Sequence, residues 1–473
     1  MLIEYGILHA IIILLKIQLF GVLPTLAILV AGFYGLSKVL DRFGYQFAVG
    51  QDVQFFFNSG KESANCIGII EMEKISAKTL KEECFLKKGI SNVRKLRQVP
   101  VNFLGIQLWK DIAPETAINQ FSTIDEKFSS QDDVIKHCNE WARENISLEK
   151  PQWEIKFKEN HTETTSLLLM KCHHSFTDGV GVITLFAFLN DESLCPKMMP
   201  KYKDFSCLQA VLLTLFTPIA LLWQYCVVLF HKAHESNRMI HTPTGRLSGE
   251  SIFLKTKTFD FKDIRKCYKM FENTTFNNYV MGVLSKSMHS WFTKNGVEAP
   301  ESLIMSCPVS MKTLPKSVAD INLNNYTSSV TIQFPVLENL KESLKITKRR
   351  FAEFFKFYHL IPTVYFQKLF RYIPRKIGSY LYDKFIQEVD FLLTNVSGPR
   401  EPIYLCNKKI LKITPFLSNF SNMDLVVVCF SYNQKVSFQI IADKEIQMNP
   451  YDLKEFIETN FDGRVLKLKN ENI

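Results

Sequence analysis

Short apolar runs alternate with amphipathic stretches along most of the chain, a pattern typical of a mixed α/β protein. The runs "CIGIIEME" (66–73) and "SLLLMKC" (166–172) predict strands, and a 3.6-residue periodicity after residue 77 and after Asp178 predicts helices. The second half of the chain repeats this order, which indicates two α/β halves packed together. In that half the pattern predicts strands at 302–310, 328–336, 389–397, 402–407, 423–432 and 435–443, and helices at 261–271, 276–291, 337–360, 362–385 and from Pro450.

The first long apolar stretch, residues 7–36, exceeds the apolar region of a signal peptide. Lys16 interrupts it, so it fits either one tilted membrane span or two short arms that enter and return. Lys38 and Arg42 follow it, and this positive charge favours a cytosolic position for the chain that comes next. We therefore expect residues 1–40 to form an N-terminal membrane anchor.

A second apolar stretch, residues 208–230, is long enough to span a membrane, but lysines on both sides give no direction. A true span here would separate the two halves across the bilayer, and Pro218 would kink a helix. We expect a kinked or re-entrant element within one leaflet, with a buried core helix as the alternative. The predicted organisation is then an anchor (1–40), an N-terminal half (41–205), an apolar insert (206–245) and a C-terminal half (246–473).

Composition narrows the classes of partner. The 473 residues are 47% apolar and 22% charged, as in a folded protein, and 39 phenylalanines indicate a large apolar core, cavity or membrane surface. The net charge of +10 is spread over short clusters such as 348–350 and 408–409, without the basic tract typical of nucleic-acid binding. It suits anionic lipid or a phosphorylated cofactor equally well.

Eleven cysteines are spread from Cys66 to Cys429 with no CxxC spacing. An odd, dispersed set argues against a disulfide framework or a zinc site. Reduced, buried thiols are the expected state, and they indicate a body that faces the cytosol.

The segment "LLLMKCHHSFTDGVG" (167–181) places adjacent histidines between a predicted strand and a helix start. His174 there is a candidate general base, because the unperturbed pKa of histidine lies near neutral pH. Asp178 is expected to cap the helix or to pair with an arginine, and Gly179 allows a backbone geometry closed to other residues. A structural histidine and a metal pair remain alternatives, although no third ligand set and no G-x-S-x-G elbow accompany them.

These residues resemble a known family. "HHSFTDG" matches the HHxxxDG signature of coenzyme A-dependent acyltransferases with the chloramphenicol acetyltransferase-like fold, which condensation domains share. Further segments are similar to those of the wax ester synthase/diacylglycerol acyltransferase family, in order and over roughly residues 50 to 460. They are "PQWEIKF" (151–157), "TTFNNYVMGVL" (274–284, with Asn278 for the usual acid), "CPVSMK" (307–312, with lysine for arginine), "NLNNYTSSVTIQFP" (322–335), "TNVSGPREPIYL" (394–405, with Ser397 for proline), "SYN" (431–433) and "IAD" (441–443).

The resemblance implies two chloramphenicol acetyltransferase-like halves that share a central tunnel. It implies that His174 takes the proton from an alcohol, that Asp178 is structural and that His173 supports the turn. No acyl-enzyme is required, so the missing serine elbow is no objection. Expected substrate-binding residues are Gly179, Pro151 and Trp153 at an entrance, and Asn277 and Asn395 as oxyanion donors.

The predicted function is transfer of a long acyl chain from acyl-CoA, as co-substrate, to a lipid alcohol. The product is a wax ester when the acceptor is a fatty alcohol and triacylglycerol when it is diacylglycerol. Membrane lipids are the expected partners, with no nucleic acid, metal or permanent cofactor. The expected location is the membrane of the endoplasmic reticulum or the surface of lipid droplets. The alternatives are a lipid-binding or transfer protein on the same fold, and an acyltransferase for a small soluble alcohol or amine.

Overall fold

The computed structural model describes residues 23–56, 64–191, 240–245, 247–312, 321–354, 377–380, 389–417 and 423–462. Three predictions lie wholly or mostly outside these ranges. They are the apolar insert 208–230, the first part of the anchor, and most of the helix expected at 362–385.

Strands and helices alternate through the described residues, as the sequence pattern predicts. The strands are β1 (Tyr45–Phe47), β2 (Asn65–Glu73), β3 (Gln98–Phe103), β4 (Ile106–Asp111), β5 (Phe121–Thr123), β6 (Trp153–Lys158), β7 (Thr165–His173), β8 (Ser251–Lys255), β9 (Phe259–Asp260), β10 (Ser302–Ser310), β11 (Thr327–Pro335), β12 (Phe391–Ser397), β13 (Tyr404–Leu405), β14 (Lys408–Leu417), β15 (Leu425–Tyr432) and β16 (Lys435–Asp443). The α-helices are α1 (Leu23–Arg42), α2 (Gly50–Gln54), α3 (Ala77–Thr79), α4 (Pro114–Ala117), α5 (Gln131–Ala142), α6 (Gly179–Leu189), α7 (Phe261–Lys269), α8 (Phe276–Lys294), α9 (Leu340–Phe354) and α10 (Pro450–Phe461), and a π-helix (Leu80–Ile90) continues α3.

The N-terminal sheet has the strand order β13-β14-β2-β7-β6-β5. Its central strand β7 is buried from Thr165 to Cys172, which explains why its sequence is a continuous apolar run without alternation. Antiparallel pairing with β2 sets Asn65 opposite His173. The two histidines therefore lie where a central strand ends.

The C-terminal sheet has the order β11-β10-β12-β15-β16-β8, and β9 also pairs with β16. Strands β10, β12 and β15 run parallel, while the outer pairs are antiparallel. Helix α8 packs against α9 at Gly282, where an added Cβ would lie 2.5 Å from a methyl carbon of Leu344. One apolar core contains residues of the N-terminal sheet together with residues of β12 and β15, and a second joins the C-terminal sheet to helices α8 and α10, so the two α/β halves pack on a shared core.

The hairpin β13–β14 crosses between the halves. It follows β12 of the C-terminal sheet in sequence, yet β14 pairs with β2 of the N-terminal sheet, with Leu417 opposite Cys66. The predicted strand at 402–407 is paired only at Tyr404 and Leu405, and β14 itself was missed, because three lysines and Pro415 break its apolar pattern. The N-terminal sheet is thus completed by residues predicted to belong to the C-terminal half.

A third, small sheet with the order β1-β4-β3 carries helix α1 on one side. The ring of Phe33 stacks on Phe47 at 4.5 Å, and Arg94 bonds both Asp41 at the helix end and Asp111 in β4. Across the ranges that the structure describes, no helix is both long enough and apolar enough to span a bilayer.

His241, between the apolar stretch 208–230 and the predicted C-terminal half, lies between two aspartates of the C-terminal sheet. Its Nδ1 is 2.6 Å from Asp424 and its Nε2 is 3.1 Å from Asp390. Burial disfavours the imidazolium, but the hydrogen bonds and charges of the two carboxylates outweigh it and raise the pKa of His241 to about 9. A protonated histidine therefore ties the returning chain to the sheet.

Candidate active site

The end of β7 fixes the position of His174. Its backbone N–H donates to the carbonyl of Ala64 at 2.6 Å, which extends the pairing of β2 and β7 by one residue. The ring of Phe55 stacks on the imidazole with centroids 4.0 Å apart. Backbone and ring contacts together hold the imidazole in one orientation.

Asn325 determines which ring nitrogen of His174 carries the proton. Its Nδ2 donates to Asp52 Oδ1 at 2.8 Å and to the His174 carbonyl at 2.7 Å, so its Oδ1 faces His174 Nδ1 at 3.1 Å. The reverse amide orientation would set the amide oxygen against two acceptors. Oδ1 therefore accepts from Nδ1–H, and the lone pair of the neutral ring is on Nε2.

The surroundings keep both histidines neutral. Burial lowers the pKa of His174, opposed by hydrogen bonding within its own residue and by Asp178, Asn325 and Asp52. Burial, assisted by the neighbouring His174, lowers the pKa of His173 to about 3. At neutral pH the imidazole of His174 is thus in the form that accepts a proton.

Asp52 and Lys95 form a buried ionic brace behind Asn325. Lys95 Nζ lies 2.7 Å from Asp52 Oδ2 and 3.7 Å from the ring centroid of Trp109, and it also donates to Asn324 at 2.9 Å. The backbone N–H of Asn325 donates to Asp52 Oδ1 at 2.8 Å. These residues were not predicted from the sequence. The local signal was Asp52, a charged residue within the apolar segment "VGQDVQFF", and such a residue does not distinguish a site from a solvated loop.

His173 makes its own contacts at the start of the turn, and its supporting role stays a prediction. Its backbone N–H donates to Gln152 at 3.0 Å, its Nδ1 is 2.7 Å from Ser175 Oγ, and Phe56 stacks on its ring at 5.4 Å. The two histidines point to different neighbours. Within the described ranges, no group of three or more His, Cys, Asp or Glu side chains could hold a metal ion.

Asp178 combines the two alternatives offered by the sequence. Its Oδ1 accepts from the Gly181 N–H at 2.7 Å as the N-cap of α6, and from Lys312 Nζ at 2.8 Å. Its Oδ2 accepts from Tyr326 N–H at 3.1 Å. The partner cation is thus the lysine that replaces arginine in the "CPVSMK" segment. Asp178 joins β10, β11 and the histidine turn through one carboxylate.

Two glycines open α6. A Cβ on Gly179 would approach Val396 to 3.3 Å, a tight but adjustable contact. A Cβ on Gly181 would lie 1.9 Å from Thr177 Oγ1 and 2.7 Å from Lys312 Nζ, closer than real contacts allow. Gly181 is therefore a second glycine that the site requires, and the HHxxxDG pattern alone does not reveal it.

An apolar cavity of about 150 Å³ begins at His174 and is lined by both halves of the protein. Asp178, Thr177 and Gly179 contribute its polar end. The remaining wall is mostly aliphatic and aromatic, from β2, α6, β12, β14 and β15, and includes Ile67, Ile183, Phe186, Val396, Phe416 and Phe430. Because β14 crosses between the sheets, this wall exists only when both halves are assembled.

Two thiols line the cavity, and that of Cys66 is poorly suited to act as a nucleophile. Cys66 and Cys172 face each other across β2 and β7 and both line the cavity. A hydrogen bond with Cys172 and burial raise the pKa of the Cys66 thiol well above its ordinary value. Cys66 is therefore a neutral wall group at physiological pH.

The remaining predicted residues, Pro151, Trp153, Asn277 and Asn395, are not among those that line the cavity. Asn395 Nδ2 donates to Asn277 Oδ1 at 2.7 Å, so these two do meet, but neither is among the residues that line the cavity. Trp153 is fully buried and donates to the Leu96 carbonyl at 2.8 Å, and Pro151 is buried just before it. The roles assigned to these four residues stay predictions.

Asn278, which replaces the usual acid, has a local role. Its Oδ1 accepts from the backbone N–H of Thr275 at 3.1 Å, while its own N–H donates to the Thr275 hydroxyl at 3.2 Å. This reciprocal pair caps α8. The amide thus preserves the helix start without the charge.

Comparisons with known proteins identify similar families and folds. Residues 323–463 match the family model described as the WS/DGAT C-terminal domain. A probable diacylglycerol O-acyltransferase of Mycobacterium tuberculosis is 21% identical over 355 residues, covering 70% of this chain and 74% of that protein. A diacylglycerol O-acyltransferase homologue of Mycobacterium bovis has the same identity and the same coverage of both chains.

Solved structures show the fold. The wax ester synthase/diacylglycerol acyltransferase of Marinobacter aquaeolei VT8 superposes with a TM-score of 0.60 at 16% identity, over 89% of this chain and 99% of that one. A trichothecene 15-O-acetyltransferase from Fusarium sporotrichioides gives 0.63 at 10% identity, covering 88% and 95%. A starter condensation domain of rhizomide synthetase in complex with C8-CoA gives 0.61 at 9% identity, covering 91% and 97%.

The predicted fold is thereby confirmed for the two α/β halves. The resemblance drawn from the motifs is confirmed as well: the chain carries the WS/DGAT C-terminal domain and resembles the wax ester synthase/diacylglycerol acyltransferase family.

Proposed function

We propose that this protein is an acyl-CoA-dependent O-acyltransferase that transfers a long acyl chain to a lipid alcohol. One observation carries the proposal: a neutral imidazole, with its Nε2 lone pair set by Asn325, lies at the polar end of an apolar cavity. The diacylglycerol acyltransferase and wax ester synthase names of the similar proteins support this reaction class.

In the proposed reaction, Nε2 of His174 accepts the proton of the acceptor hydroxyl as its oxygen attacks the thioester carbonyl. The tetrahedral intermediate collapses by breaking the C–S bond. The imidazolium then protonates the departing thiolate, giving an ester and free coenzyme A. Proton and electron pairs balance without an acyl-enzyme, which fits the high pKa of the Cys66 thiol in the cavity wall.

The buried ionic brace of Asp52 and Lys95 behind Asn325 is compatible with a His174 side chain that gains and then loses a proton. The carboxylates of Asp52 and Asp178 favour the transient imidazolium of His174, while burial limits its lifetime. The intermediate also needs oxyanion donors, each typically worth ~10²–10³ in rate. Asn277 and Asn395 are proposed for this role; neither lines the cavity at His174, so the proposal requires that their amides lie against the thioester carbonyl when acyl-CoA is bound.

The nature of the cavity wall supports a hydrocarbon acyl group. Each methylene transferred from water to such a wall gains about 0.8 kcal/mol, so a long chain binds more tightly than a short one. We propose fatty alcohols and diacylglycerol as acceptors. We further propose a membrane location, at the endoplasmic reticulum or lipid droplets, with the catalytic body facing the cytosol.

The test uses membranes that contain the full-length protein, labelled long-chain acyl-CoA and competing alcohols, with products separated by polarity. His174→Ala is expected to lower ester formation by ~10²–10⁴-fold at unchanged protein level. His289→Ala, on the partly exposed face of α8, is the matched control and should retain full activity. Full activity of His174→Ala, or binding of acyl-CoA without its consumption by the wild type, would refute the proposal.

A further inference from the structure

The hairpin joining β3 and β4 exposes apolar side chains at its tip. Phe103 is 61% exposed and Leu104 is 88% exposed, and Ile106 is exposed beside them. Leu104 and Gly105 form the two-residue turn with φ values of 50° and 85°. Such turns favour asparagine, aspartate or glycine, so a leucine there adds no stability to the isolated fold. Three apolar side chains are therefore exposed together at the tip.

Helix α1 also exposes apolar side chains. Phe33, Ser37 and Leu40 form the partly buried stripe on the small sheet. Tyr34, Leu36 and Val39 lie outside this stripe and are 63%, 51% and 51% exposed. A helix that is apolar beyond its packed stripe needs a second apolar environment.

The helix and the hairpin tip extend in the same direction. Phe47, against which Phe33 stacks, pairs with Leu108 towards the tip, whereas Asp41 bonds Arg94 near the opposite end of the strand. From Phe33 to the start of α1 is about 15 Å at 1.5 Å per residue. From Leu108 to the hairpin turn is about 13 Å at 3.3 Å per residue. The N-terminal end of α1 and the hairpin turn therefore extend about equally far beyond the contact between Phe33 and Phe47.

Cations and tyrosines lie farther from the hairpin tip than the exposed apolar side chains of residues 103–106. Lys38 is 5.5 Å from the ring centroid of Tyr34, and Lys110 is 5.8 Å from that of Tyr45. Arg42 ends the helix on the same side. Apolar tips followed by an aromatic and basic belt match the depth profile of a lipid headgroup region.

We propose that the tip of the β3–β4 hairpin, residues 103–106, inserts into the surface of a lipid bilayer beside the N-terminal end of α1. The occupant is lipid, because the sequence that leads into α1, residues 7–22, is itself largely apolar and the flanking charge is basic. Insertion by about 5–10 Å requires no spanning helix. This inference concerns membrane contact and holds independently of the proposed chemistry.

The hairpin also lies close to the candidate active site. Trp109 of β4 contacts Phe56 at 5.8 Å, and Phe56 contacts His173 at 5.4 Å. Two ring contacts therefore separate the membrane-facing strand from the histidine turn. A lipid acceptor that partitions into the bilayer would meet the protein near this turn.

The test introduces a tryptophan probe into the full-length protein. Phe103→Trp keeps an aromatic residue at the tip, and Tyr451→Trp on α10 of the C-terminal half, where Tyr451 is 56% exposed, is the matched control. Emission is measured on vesicles of phosphatidylcholine and phosphatidylserine, with and without bromine on the acyl chains, and compared with the unsubstituted protein.

We expect a blue shift and bromine-dependent quenching of the added emission in Phe103→Trp and neither effect in Tyr451→Trp. Equal behaviour of the two probes, or a blue-shifted Phe103→Trp emission that brominated lipid leaves unchanged, would overturn the proposal. The second result would mean that protein covers the tip. Because the readout involves no turnover, it remains valid if the catalytic proposal fails.

A second variant links the tip to lipid acceptors. Leu104→Asp, assayed on the proposed reaction, is expected to lower acylation of a vesicle-embedded alcohol about tenfold, since burial of one such side chain changes a partition constant by roughly that factor. Its rate with a water-soluble short-chain alcohol should be unchanged. Loss of both rates, or of neither, would contradict insertion of the tip.

Discussion

Asn325→Ala tests how much the orientation of His174 contributes to its role as a base, separately from the ability of its imidazole to accept a proton. The substitution removes the acceptor for Nδ1–H of His174 and two donor contacts, one of them to the buried carboxylate of Asp52. The backbone N–H of residue 325 and Lys95 still reach Asp52, so its charge remains partly compensated. The imidazole itself remains in place.

The size of the effect follows from these contacts. A neutral hydrogen bond contributes about 1 kcal/mol and one to a charged group somewhat more, so we expect the free energy of unfolding to fall by about 3 kcal/mol. A preference of 1–1.5 kcal/mol between the two tautomers corresponds to about a tenfold change in their ratio, so its loss lowers the fraction of His174 with its lone pair on Nε2 by roughly two- to fourfold. Looser ring orientation adds to this. We therefore expect kcat to fall about 10–100-fold, with little change in KM for acyl-CoA.

A pH profile distinguishes this role from a purely structural one. The base acts only when unprotonated, so activity is lost as the pH falls through the pKa of His174. Asn325 raises that pKa, hence its removal should move the acidic limb of kcat/KM to lower pH. Asn324→Ala, which removes only a contact to Lys95, is the matched control and should leave the profile unchanged. An unchanged acidic limb in Asn325→Ala, or a loss confined to KM, would refute the reasoning.

Two further variants test charges buried in the fold. Lys312→Met leaves the carboxylate of Asp178 without its cation and is expected to lower the free energy of unfolding by about 3–5 kcal/mol. Lys312→Arg keeps a cation there and should retain most of the wild-type stability. Equal melting temperatures of the two variants would contradict this. His241→Gln should cost about 3 kcal/mol at pH 7, because the raised pKa of about 9 stabilises the fold fully below the unfolded value near 6.5. That stabilisation is lost as the pH rises through 9, so denaturation curves of wild type and variant should converge by about pH 10, and a constant difference would show that the charge is not involved.

The sequence predicted the parts of the fold whose signals are local. Continuous apolar runs located β7 and β15, and the HHxxxDG turn located His174 and the cap formed by Asp178. Asp178 pairs with a lysine at the position where the resembled pattern has an arginine, so the interaction survives the exchange of one cation for another.

The parts that could not be predicted depend on contacts between distant segments. Asn325 reaches His174 across 151 positions, and Asp52 reaches Asn325 across 273. No local periodicity encodes such contacts. The strand β14 was not predicted for a related reason. It is buried by pairing with β2 and by the cavity, whereas its lysines are typical of a solvated segment.

The crossing hairpin also sets an order of events during synthesis. Residues 410–417 pair with residues 66–72, so β2 keeps an unpaired edge until nearly the whole chain has emerged from the ribosome. Such distant pairing slows folding and exposes intermediates to aggregation. A premature stop between residues 182 and 403 would therefore leave the N-terminal sheet incomplete, even though every residue of the histidine motif had already been made.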